Sequence, residues 1–305
     1  HSFTIMPSKL KRARSLTPTI PTEPPSSHKA KKLKLLASHA TTSPFPDYPH
    51  PTRDEAAQVH ALLLATHPTV TAQRTRPSSA NNSARTCGGV PSVLESLIGT
   101  ILSQNTSARN STAAKRGLDA RFGRNDFAAI ARAPKADVVD AIRTGGLANK
   151  KAGVIQKILQ EVKDRHGTYS LQHLAGVPLS DEEAMKELVS YDGVGPKTAS
   201  CVLLFCLGRS SFPVDTHVFR LSRLLGWVPS KADRVTAQAH LDLRIPDDLK
   251  FGLHVLMVAH GRTCSGCNGK SSRKDDCVLK SWLRDSKGVK DEELEKTVME
   301  AGEDT

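Results

Sequence analysis

An all-α fold is what this 305-residue chain predicts, on three observations. Apolar residues recur at helical spacing in one segment after another. Alternating strand patterns are nearly absent, and aromatic residues make up only 4% of a chain rich in Leu, Ala and Val. The length allows one large core or two modest ones.

Residues 1–52 hold nine of the 18 prolines, many Ser and Thr, and almost no periodic hydrophobicity, which predicts a disordered basic tail. Its charge falls in two clusters, Lys9, Lys11, Arg12 and Arg14, then Lys29, Lys31, Lys32 and Lys34, opposed only by Glu23 and Asp47. Two basic clusters around a flexible spacer look like a bipartite nuclear-import signal, and also suit a general nucleic-acid-attracting arm. The nucleus is therefore the expected location, with mitochondria as a second destination.

A short helical stretch comes next, and Pro77 to Gly89, rich in Ser, Asn and Gly, separates it from a long series of helices. Leu94, Leu97, Ile98, Ile101 and Leu102 fall at i, i+3, i+4, i+7 and i+8, an amphipathic helix ending near Gln104. Similar spacing predicts helices over Val138 to Ile142, Ala152 to Val162, Glu182 to Val189, Ala199 to Cys206 and Val218 to Leu225. Residues 285–305 form an acidic tail, with eight carboxylates against three lysines. No internal repeat is visible.

The net charge of +12 exceeds what the basic arm supplies, so the folded part is itself basic and a polyanion is the first partner to consider. The longest apolar run, Val202 to Leu207, is far short of the roughly 20 residues that cross a bilayer, so no membrane partner is expected. No secretory signal is recognisable. Six cysteines, at 87, 201, 206, 264, 267 and 277, are too few and too uneven to staple the chain, and Cys201 and Cys206 read as small core residues.

The stretch from Leu188 to Ala199 carries the most information. A helix ends in Gly193-Val194-Gly195, and a second helix starts at once with Pro196 at its first turn and Ala199, Val202, Leu203 and Cys206 on one face. Such a hairpin aims unpaired amides and the positive end of a helix dipole at whatever lies in front of it, and a DNA phosphate suits both. Lys197 sits in that first turn, where dipole and desolvation both favour the neutral, nucleophilic amine. Asp215, just before the helix of Val218, Leu221 and Leu225, is an N-cap by position and supplies a carboxylate.

Hairpin, lysine and the following Phe212-Pro213-Val214-Asp215-Thr216-His217 together resemble the helix-hairpin-helix (HhH-GPD) DNA glycosylases of the endonuclease III type. Leu102-Ser103-Gln104, Gly146-Leu147 with Lys151-Ala152, and His260-Gly261-Arg262 look like further segments of that family in the same order, over roughly residues 85 to 280. The resemblance implies a helical barrel over 85–208 and a second helical domain from 53–84 plus 209–284. Lys197 and Asp215 would then flank the cleft between them. It further implies a monomeric base-excision repair enzyme with N-glycosylase and AP lyase activity on duplex DNA holding a damaged or modified base. Lys197 would attack the sugar C1′, and Asp215 would activate it and offset positive charge at the sugar. Gln104 and Leu147 would fill the gap left by an extruded base. Lys150, Lys151, Gly193, Gly195 and Thr198 would contact the backbone. Oxidised pyrimidines are the expected substrates. Removal of 5-methylcytosine or mismatched thymine is an alternative, and a non-catalytic DNA-binding module is the alternative of another class.

Two departures stand out. The family's four-iron loop is spaced Cys-x6-Cys-x2-Cys-x5-Cys, whereas here Cys264 and Cys267 are followed by nine residues and then Cys277. One thiolate is missing and the spacing is wrong, so no cofactor is expected and the three cysteines read as the remnant of an iron-sulfur loop. A zinc site completed by His260 or His254 is the alternative to a degenerate loop carrying Lys270, Arg273 and Lys274. In addition, Tyr191-Asp192 replaces the usual Leu-Pro before the hairpin, which sets an acidic group beside the expected phosphate.

Overall fold

The computed structural model describes residues 27–81, 88–176, 178–267, 277–290 and Thr297. Among the described residues there are thirteen α-helices and no strand. Several helices begin where short polar side chains accept from open amides. Thr52 and Glu55 close a reciprocal capping box on α2 (Arg53–Thr66), Ser92 caps α3 (Val93–Ser103), and Ser180 with Glu183 caps α8 (Asp181–Ser190).

Two hydrophobic cores result. The first gathers α3, α4 (Ala108–Phe122), α5 (Phe127–Arg132), α6 (Lys135–Ala141), α7 (Ala148–His166), α8 and α9 (Pro196–Cys201), the last continuing into a π-helical turn at Val202–Cys206. Helix α3 runs through the middle, with every residue from Val93 to Leu102 buried. The second core joins α2 to α10 (Thr216–Leu224), α11 (Arg234–Arg244), α12 (Asp247–Thr263) and α13 (Val278–Lys287) around Trp227, Phe212 and Leu253. From α2 onward the chain starts the second core, leaves to build the first, and returns after the hairpin.

Residues 27–52 correct the expectation of a disordered tail. Helix α1 (Ser27–Ser38) lays Leu33 and Leu36 on the first core. The proline-rich strap after it is pinned to the second: the Tyr48 hydroxyl donates to Gly226 O at 2.7 Å, and the His240 ring bridges Ser43 Oγ and His50 O, each at 2.6 Å. Few apolar anchors and many prolines conceal this segment in the sequence, because partners more than 170 residues away hold it. The first basic cluster lies outside the described residues, as do Cys87, Lys270, Arg273 and Lys274.

Candidate active site and cysteine cluster

Between the two cores opens a cleft of about 610 Å³. The hairpin supplies one wall. Gly193 takes φ +82°, a left-handed turn that a Cβ would strain and also drive to 2.6 Å from a Val154 methyl. Gly195, extended, then caps α9, with Pro196 at its first turn. Lys197 therefore starts its helix in the cleft wall. Asp215 faces the same cleft from the start of α10, where its Oδ1 accepts from the Val218 amide at 2.8 Å. The cap fixes one carboxylate oxygen and orients the group.

His254 lies buried beneath this pair, close enough to feel the charge of both, and its Nδ1 bonds Pro213 O at 2.9 Å. Burial, with Lys197 adding to it and Asp215 opposing, pushes its pKa down to about 4, so the ring is neutral at physiological pH. His254 therefore belongs to the cleft and not to the cysteines. Exposed Arg234 and Arg262 stand on the rim. Neither arginine is marked by any local pattern, since each reaches the cleft from a different helix.

Gln104 lines the cleft, whereas Leu147 stands apart from its lining, at the start of α7. The Gln104 Nε2 donates to Thr198 Oγ1 at 2.9 Å, which ties the end of α3 to the hairpin helix. Leu147 is 55% exposed and holds φ +50° at the start of α7. An apolar side chain in an uncommon backbone conformation and in water is unfavourable locally, so the surrounding structure must impose it. Lys150 is exposed, as a phosphate-facing lysine would be.

Lys151 corrects its expected role at the DNA backbone. It is 3% exposed, and its ammonium donates to Leu102 O, Gly145 O and Thr106 Oγ1 at 2.6–2.8 Å. Burial pushes the amine down to about 8, while three oxygens around Nζ favour the proton at neutral pH. The residue is a strut between the segments that carry Gln104 and Leu147. Thr198 is likewise buried, its hydroxyl committed to Gln104. The two hairpin departures also resolve. Tyr191 is a buried core residue bonded to Glu187, and Asp192 is ion-paired with Lys157, which offsets its charge.

The expectation of no cofactor is overturned at the other side of α12. The thiols of Cys264, Cys267 and Cys277 and a ring nitrogen of His260 all lie within 4.8 Å of one another, and all but Cys264 are buried. The sequence offered His260 or His254 as a fourth donor only in the alternative to a degenerate loop, and the fold brings His260 to the cysteines. Here the end of α12 returns His260 to the loop that follows it. A buried group of three thiols and one imidazole fits a metal centre.

A family model for the HhH-GPD superfamily of base excision DNA repair proteins matches residues 98–246. An Arabidopsis thaliana protein, At3g47830, which carries a provisional name as a DNA glycosylase, is 40% identical over 78% of this chain and 87% of its own. The chain belongs to the HhH-GPD superfamily. Within it, endonuclease III of Sulfolobus acidocaldarius is 28% identical over 65% of this chain and 84% of that protein. A solved endonuclease III–DNA complex superposes with a TM-score of 0.58, at 23% identity, over 78% of this chain and 97% of the other, a likeness of fold. This HhH-GPD protein is a DNA glycosylase of base-excision repair.

Proposed function

We propose that this glycosylase also cleaves the strand, acting as an AP lyase on duplex DNA that holds an oxidised pyrimidine. The observation that carries this reading is Lys197 at the first turn of the hairpin helix, lining one cleft with Asp215. The Lys197 amine supplies an electron pair to C1′, the C1′–N bond breaks, and the base leaves with that bonding pair. Loss of a proton from nitrogen and opening of the sugar ring give a Schiff base. Removal of a C2′ proton then expels the 3′ phosphate by β-elimination. Asp215 offsets positive charge as it grows on the sugar. Leu147, exposed at the start of α7, supplies the wedge for the vacated stack, and Gln104 the amide for the orphaned partner base. Lys150, the Gly193 and Gly195 amides and the rim guanidiniums of Arg234 and Arg262 suit phosphates. The basic N-terminal arm supports nuclear import.

Borohydride trapping on duplexes carrying thymine glycol, dihydrouracil, 5-methylcytosine, a T·G mismatch or an abasic site tests the proposal. A covalent adduct on an oxidised pyrimidine that Lys197→Gln abolishes, with duplex affinity retained, is the expected result. Excision without an adduct refutes the lyase step. Preference for 5-methylcytosine or mismatched thymine refutes the substrate assignment, and binding with neither reaction leaves a DNA-binding module.

A further inference from the structure

We propose that His260, Cys264, Cys267 and Cys277 bind a single zinc ion in a closed tetrahedral site, in place of a four-iron cluster. Cys267 Sγ and Cys277 Sγ each lie 3.6 Å from His260 Nε2, and the four donor atoms span no more than 4.8 Å. Zinc–sulfur bonds of about 2.3 Å set tetrahedral donors roughly 3.8 Å apart, inside the 4.8 Å that these four atoms span and close to the two sulfur–nitrogen separations. Around a four-iron cubane each thiolate binds a different iron at its own corner, so the donors must stand much farther apart. Cys267 Sγ and Cys277 Sγ, 2.9 Å apart, are beyond the roughly 2.05 Å of a disulfide. Three soft thiolates and an imidazole, with Cys264 and Cys267 forming a Cys-x2-Cys half-site, are a zinc donor set.

The surroundings complete the site. His67, at the end of α2, places its Nε2 2.9 Å from His260 Nδ1. With His260 Nε2 among the sulfurs, Nδ1 keeps the proton and donates to His67, which fixes tautomer and ring orientation. Three thiolates and one zinc leave a net charge of −1. Buried Arg220, which donates to Gly261 O at 2.8 Å and feels the charge of Cys264 and Cys267, supplies the compensating charge. The ion would join the ends of α2 and α12 to the start of α13, so its role is structural.

The test is metal analysis of the full chain produced with both iron and zinc in the medium, read without reference to excision. One zinc per chain, with neither iron nor acid-labile sulfide, is expected. Replacement by cobalt should give intense tetrahedral ligand-field bands and sulfur-to-cobalt charge transfer. In competition with a chromophoric chelator, His260→Ala should hold zinc at least tenfold more weakly, and His67→Ala about 10–100-fold more weakly. Four irons with four sulfides, a Cys267–Cys277 disulfide detected by mass after alkylation, or an octahedral cobalt spectrum would each overturn the proposal. The wild-type readings stand even if a variant fails to fold.

Discussion

Asp215 does two things at one atom position, and they can be separated. Its Oδ1 caps α10 and its charge faces the cleft. Asparagine caps a helix about as well as aspartate but carries no charge. Asp215→Asn should therefore leave the melting temperature nearly unchanged while single-turnover base excision falls by about 10²–10³-fold. Lys151 is the reverse case, a buried cation remote from chemistry. Lys151→Met removes the donor that three oxygens share and should lower stability in urea by about 2 kcal/mol. Excision should fall as well, because the segments bearing Gln104 and Leu147 lose their common anchor. Reading both lysines at 150 and 151 as phosphate contacts was natural in the sequence. A side chain one position along a helix turns by about 100°, and here that turn separates solvent from core.

The hairpin shows how much a single element depends on its neighbour. Gly193 needs its positive φ, and its missing Cβ makes room for Val154 of α7. Gly193→Ala should cost roughly 1–2 kcal/mol for the backbone alone, with the clash added, and should weaken duplex binding measured by fluorescence anisotropy. Adding Val154→Ala should recover the packing part and leave the backbone part. The glycines, Pro196 and the helix start were legible because turn chemistry is local. Helices α4 and α11 were not singled out, since their few apolar positions point into cores built by distant segments.

The strap before α2 and helix α13 meet on α2. Glu55, buried near the start of that helix, receives the Lys287 ammonium from α13, the Thr52 amide and the His50 ring. Burial opposes its ionisation, but these donors overcome it and hold the carboxyl at about 2. Its folded pKa lies below the unfolded value of about 4.3, so the stability it contributes is fully present above that value and is lost as pH falls toward 2. Glu55→Gln should lower stability at pH 7 by about 2 kcal/mol. It should also flatten the loss of stability between pH 4.5 and 2, as followed by thermal melts across that range.

From residues alone came the helical class, the hairpin, the position of Lys197 before Asp215, and a basic surface suited to a polyanion. Each rests on local periodicity, turn chemistry or summed charge, which need no knowledge of distant partners. Tertiary structure alone decided four other matters. Residues 27–52 are ordered because far-off groups on both cores hold them. Lys151 is inside because three oxygens from two other segments meet it there. His254 sits within reach of the charges of Lys197 and Asp215 because α12 packs against α10. His260 and not His254 joins the cysteines because the chain folds back at the end of α12. Spacing along a chain records which groups are adjacent in sequence, whereas burial and coordination depend on which groups are adjacent in space.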